Sequence, residues 1–207
     1  MCSSDLHDGE NRRAISGGHF HGQYVAQAMD FLAIALADLA SICERRVARL
    51  IDPVMSFGLA RNLASGTPGL NTGYATVQCS LSSLVMENRT LATPGSVDSI
   101  PGKGNAEDHV SNSTWCARKA AQVSVNTGMV VAGEILVAAQ ALSMVDDLAI
   151  EFPLAGATRS IVEALREVIP QRQDGDVWFA TDINRAQALV ESASLLDVLD
   201  SVGVRIE

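Results

Sequence analysis

The chain has 207 residues, enough for one domain or one domain with a small appendage. Hydrophobic residues make up 47% but aromatics only 4%, so alanine, leucine and valine must build the core, which suits closely packed helices better than a sheet sandwich. A formal net charge of -9 argues against nucleic acid or an anionic membrane as a partner.

Residues 1–15 are polar and read as irregular. Met1 to Leu6, MCSSDL, resembles an in-frame translation of a sequencing adapter, so the chain reads as a truncated gene fragment that starts mid-protein near Asp8. From Gln23 to Leu50 the apolar positions are Val25, Met29, Leu32, Leu36, Leu39, Cys43, Val47 and Leu50, a helical stripe. At roughly 1.5 Å per residue this helix is about 42 Å long. Such a helix is stable only when its stripe is buried on other long helices. Asp52-Pro53 ends it, and residues 56–70 read as a loop.

Asn71 or Thr72 can cap a second helix bearing Tyr74, Val77, Leu81, Leu84 and Val85 on one face. Thr93-Pro94-Gly95 opens another loop. Asn105 then reads as an N-cap, with Asp108 completing a capping box, for a third helix over residues 106–142. That helix is rich in Ala, Val, Gly and Ser, which lets backbones approach closely. Shorter amphipathic helices are expected over residues 158–168 and 182–202. The domain reading is an irregular segment 1–15, a helical bundle region 16–147 and a small helical region 148–207.

Cys2, Cys43, Cys79 and Cys116 lack paired spacing, which speaks against a zinc site or a disulfide framework and for a reducing, cytoplasmic setting. No segment reads as a membrane span, because Ile34 to Leu39 is too short and Asp30 and Asp38 interrupt its surroundings, and the N-terminus carries no signal-peptide core. His19 and His21 converge only on a strand and no third ligand lies nearby, so no metal is expected.

The chemistry concentrates in residues 87–111, ENRTLATPGSVDSIPGKGNAEDHVS, where a Pro/Gly-rich loop delivers Glu107, Asp108 and His109 together. Upstream stands Ser16-Gly17-Gly18-His19-Phe20-His21-Gly22-Gln23. On these two stretches the chain resembles the aromatic amino-acid ammonia-lyases, most closely the histidine ammonia-lyase branch, from about Asn11 to the C-terminus. The likeness corresponds to the C-terminal part of a subunit more than twice as long.

The resemblance implies an all-α fold of long near-parallel helices forming a central bundle. It implies a homotetramer whose active sites draw on three subunits. It also implies elimination of ammonia from an aromatic L-amino acid, histidine to urocanate being the leading case. The alternatives are an aromatic amino-acid 2,3-aminomutase, or a non-catalytic or split-enzyme helical subunit.

The family's electrophile, 4-methylidene-imidazol-5-one, forms from an Ala-Ser-Gly tripeptide that lies upstream of this stretch, with a tyrosine base and the tyrosine and arginine that hold the substrate carboxylate. The fragment alone is therefore expected to be inactive. Phe20 matches the phenylalanine that packs on that ring. Glu107 matches the glutamate that faces substrate in the histidine enzymes, where the phenylalanine and tyrosine enzymes tend to place glutamine; it is a candidate base and substrate ligand. Lys103 stands where a small or amide residue is usual, and could pair with Glu107, pair with an acidic substituent on the substrate, or equally snorkel into solvent. His109 reads as a structural hydrogen-bonding residue. Ala64-Ser65-Gly66 is an Ala-Ser-Gly tripeptide in the wrong context, preceded by Arg61-Asn62-Leu63 and followed by Thr67-Pro68-Gly69, and reads as a decoy.

Overall fold

A computed structural model describes residues 4–8, 13–17, 21–67, 69–105, 107–145 and 153–204, with the backbone alone for the first two stretches. Those two stretches are strands, β1 (Ser4–Asp8) and β2 (Arg13–Gly17), paired antiparallel with Leu6 opposite Ile15. The expectation of an irregular start therefore fails: the ladder gives each strand partners for backbone groups that a free segment would leave to water.

The rest of the described chain is helical. α1 spans Gln23–Leu50, α2 Ala75–Leu91, α3 Ser113–Leu142, α4 Gly156–Val168, α5 Phe179–Glu191 and α6 Ser194–Ser201. α1 has the bounds its apolar spacing predicts. α3 begins at Ser113, seven residues later than expected from position 106. Asn105 has φ 55° and closes a short 3-10 turn at Lys103–Asn105, so it cannot cap an α-helix there. The first helical bond instead runs from the Cys116 N–H to the Asn112 carbonyl at 3.0 Å. The expected helix over 182–202 is two helices, broken at Ala193 with φ 56°. There the hydroxyls of Ser192 and Ser194 both turn to the Leu189 carbonyl, at 3.3 and 3.4 Å, and compete with the helical ladder.

The chain divides into two compact units. One comprises Met1–Asp38 and Glu87–Val125, the other Leu39–Met86 and Asn126–Glu207. The second unit holds the larger core, with Val47, Leu63, Tyr74, Val77, Leu81, Leu136, Leu165 and Ile169 buried together. Its α2 and α3 meet where Gly133 admits Leu81: a Cβ at Gly133 would lie 2.7 Å from Leu81 Cδ2. Arg172 locks the C-terminal helices by a two-pronged bond to the fully buried Asp182, at 2.9 and 2.7 Å. Asp176 takes the Thr72 and Gly73 amides ahead of α2, at 2.7 and 2.8 Å; the first helical bond of α2 runs from the Gln78 N–H to the Tyr74 carbonyl at 3.1 Å, so neither Asn71 nor Thr72 stands at its cap.

In the first unit, Ala33, Ala37, Ala120 and Val123 form a smaller core, with Met29, Leu36 and Leu91 against it. The buried face of α1 is the small-residue line Ala26, Asp30, Ala33, Ala37 and Ala40. The large-residue stripe is only partly covered: Val25, Leu32 and Leu39 stay exposed, as do Phe31, Ile34 and Ile42. Alanine lets helices approach closely, so it goes inward first, and the bulky side chains are left exposed. By length and composition alone, α1 and α3 could each cross a membrane, contrary to the sequence expectation. Both nevertheless contribute buried faces to these cores.

Candidate functional site

The site is built from the first unit, where the 92–112 loop meets the start of α1. The loop is held at every stage. Gly102 N–H donates to the Glu107 carbonyl at 2.7 Å, closing a small ring around the 3-10 turn. Ser99 Oγ and residue Val110 bond reciprocally: the hydroxyl donates to the Val110 carbonyl and accepts the Val110 N–H, both at 2.9 Å. The Asn112 amide donates to the Gly95 carbonyl at 2.9 Å and the Asp98 carbonyl at 2.8 Å. Gln23 Nε2, in the first turn of α1, donates to the Ser96 carbonyl at 2.6 Å. Loops tied by this many side-chain bonds present their residues in a set geometry.

His21 and Gly22 are the second contact. His21 Nε2 lies 2.8 Å from the His109 carbonyl, and the two rings sit 5.2 Å apart. His109 therefore takes part in a hydrogen-bonded pair of histidines, with its Nδ1 at 3.4 Å from His21 Nε2. Gly22 is pressed on the loop exit, where an added Cβ would fall 2.6 Å from Ser113 Oγ and 2.7 Å from Ser111 Oγ. Those hydroxyls cannot swing away freely, because Ser111 Oγ accepts the Ser113 N–H and donates to Ser113 Oγ at 3.0 Å. Gly22→Ala should lower stability by about 1–3 kcal/mol through overpacking. Thermal melts would check it, and Ser113→Gly in the same chain should restore most of the loss; no recovery would mean the clash lies elsewhere.

Beneath the loop runs a buried ion pair that the sequence reading missed. Lys119 Nζ donates to Asp30 Oδ1 at 2.8 Å and also to the Thr93 carbonyl, while Asp30 Oδ2 accepts the Ser96 N–H at 2.8 Å. Both side chains are almost fully buried. Burial pushes the Asp30 carboxyl up, but the Lys119 ammonium and the Ser96 amide outweigh it and hold its pKa at about 2. Burial pushes the neighbouring Cys116 thiol up, and Asp30 adds to that. The signal was present: Asp30 lies in helical register with Ala26, Ala33 and Ala37, and Lys119 with Cys116 and Val123. The register puts each charge on a small-residue line, but only the fold shows that both lines turn inward and meet.

Of the residues singled out by sequence, Glu107 and Lys103 fall on this loop and both are exposed. Among the described residues no ion pair joins them. Phe20 lies outside the described residues. No group of His, Cys, Asp and Glu suited to a metal occurs among the described residues. Ala64-Ser65-Gly66 belongs to the other unit. Its Ser65 Oγ accepts the Gly175 N–H at 3.3 Å, and the space beside it is lined by Arg61, Asn62 and Asn71, with no carboxylate among its walls.

Long helices, with a tied, acid-bearing loop packed against the start of α1, are the frame in which the comparisons with known proteins fall. The model of the aromatic amino acid lyase family matches residues 3–167, and the chain belongs to that family. It is 44% identical over 198 residues to a histidine ammonia-lyase of Symbiobacterium thermophilum, covering 96% of this chain and 38% of that protein. The histidine ammonia-lyase of Bacillus subtilis is 44% identical over 191 residues, covering 92% and 36%. Among solved structures, histidine ammonia-lyase from Trypanosoma cruzi superposes with a TM-score of 0.85 at 33% identity, over 96% of this chain and 37% of that one. Tyrosine aminomutase from Streptomyces globisporus superposes at 0.86 and 34% identity, over 98% and 37%. The chain thus spans well under half the length of these relatives.

Proposed function

We propose that this chain is the C-terminal part of a cytoplasmic, homotetrameric ammonia-lyase acting on L-histidine and releasing urocanate. The observation that carries the reading is Glu107, an acid held on a loop tied at Gly102, Ser99, Asn112 and His21. A carboxylate carried on a backbone held in this way can accept a hydrogen bond from a substrate imidazole or take a proton beside it. Lys103, four residues earlier on the same loop, places a positive charge at the rim.

The 4-methylidene-imidazol-5-one of the family supplies, when formed, the electrophile that draws electron density from the substrate. Ala64-Ser65-Gly66 does not fit its formation: Ser65 is engaged with Gly175, and Gly66, at φ 79°, is hemmed by Asn71. In this reading the group comes from the part of the subunit that precedes this chain, and Phe20 packs on it. The exposed bulky residues of α1, Phe31 and Leu32 among them, support a tetramer, since apolar area of this kind needs a partner.

The test is to restore the preceding part of the gene and assay the purified enzyme with L-histidine. Urocanate and ammonia from a tetramer support the reading; a folded enzyme that leaves histidine untouched sinks it. The equal superposition on a tyrosine aminomutase favours a second reading, in which ammonia is returned at the β-carbon. A β-amino acid among the products would mark that outcome.

A further inference from the structure

We infer that His21 is a positioning residue for Glu107, acting through the backbone of the loop; this rests on Glu107 being the acid that meets substrate. Among the described residues no side chain bonds to the Glu107 carboxylate, so its place is set by the backbone that carries it. The Glu107 carbonyl is fixed by the Gly102 N–H. Two residues further on, the His109 carbonyl is fixed by His21.

The His21 ring is itself oriented. The Gln23 N–H, in the first turn of α1, donates to His21 Nδ1 at 3.2 Å. Nδ1 must then carry a lone pair, which puts the ring proton on Nε2, the atom that faces the His109 carbonyl at 2.8 Å. One ring thus carries the rigidity of a helix start into the Glu107 segment. Gly22, having no side chain, lets the same turn sit close against Ser111 and Ser113. Asp30 and Lys119 hold the loop's first residues, Thr93 and Ser96, but not the stretch from Glu107 to His109.

The experiment is a double-mutant cycle in the full-length enzyme of which this chain is the C-terminal part. His21→Ala should lower kcat/KM for histidine by about tenfold, because small misplacements of a reacting group are expensive. In the Glu107→Gln background the same change should alter it by less than about twofold. His21→Gln, whose amide nitrogen reaches the place of Nε2, should recover most of the loss. An equal loss in both backgrounds would overturn the inference and leave His21 a general structural residue.

Amide hydrogen exchange supplies an arm independent of turnover. Gly102 and Val110 should exchange faster in His21→Ala than in the parent, and unchanged rates would also overturn the inference. If the parent released no ammonia from histidine, the substrate reading alone would fall, and the exchange rates would still decide the role of His21.

Discussion

Glu107→Gln in the restored enzyme is expected to cut turnover of histidine by about 10²-fold or more, the usual range for loss of a positioned acid–base group. The same change should cost far less with phenylalanine, which has no imidazole for the carboxylate to engage. The structure explains why the effect should be confined to chemistry. Glu107 is exposed and its carboxylate holds no other element of the described chain in place. Its loop is tied instead through Ser99, Asn112 and His21. Oligomeric state and melting temperature should therefore stay at parent values. Equal loss on histidine and phenylalanine would remove the role of Glu107 in reading the substrate.

Lys119→Met is expected to lower stability by about 3–5 kcal/mol, the usual result of stripping one partner from a buried pair. Methionine fills much of the lysine volume, so the loss reports the stranded Asp30 carboxylate and the freed Thr93 carbonyl rather than a cavity. Urea midpoints of parent and variant would measure it, and a change under about 1 kcal/mol would mean that the pair is not coupled to folding. Acid should act on the same bond. Asp30 titrates at about 2 when folded, below its ordinary 3.8. Its contribution is therefore complete above about pH 4 and is lost as pH falls toward 2. The shift corresponds to about 2 kcal/mol. Lys119→Met should flatten the stability profile in that window; a profile that keeps its slope would assign the acid sensitivity to other carboxylates.

The long helices were legible because their signals are local. The spacing from Val25 to Leu50 marks α1 at both ends, and Asp52-Pro53 stops it. Thr158 to Val168 likewise anticipates α4 to within two residues. The start of α3 was not legible. Asn105 and Asp108 have the composition of a cap, but Ser99, Gly102 and Asn112 bind the same stretch into a loop. A cap motif counts only intra-segment partners, and here partners 5 to 14 residues away win, as with Gly102 to Glu107 and Asn112 to Asp98. The N-terminal strands were missed for a similar reason: each is five residues long and gains its partners only from the other.

By itself, then, the sequence determined the helical class, the reach of α1 and α4, the existence of α2, and the two stretches that carry the family's likeness. Periodicity and residue identity are properties of neighbours in the chain, and these follow from them. Only the tertiary structure decided which face of α1 turns inward. Hydrophobicity favoured the stripe of Val25, Leu32 and Leu39, but close helix packing took the alanines and left that stripe exposed. Only the tertiary structure joined Asp30 to Lys119 and His21 to His109, pairs 89 and 88 residues apart. A bond across such a separation depends on where helices meet, which no local pattern encodes.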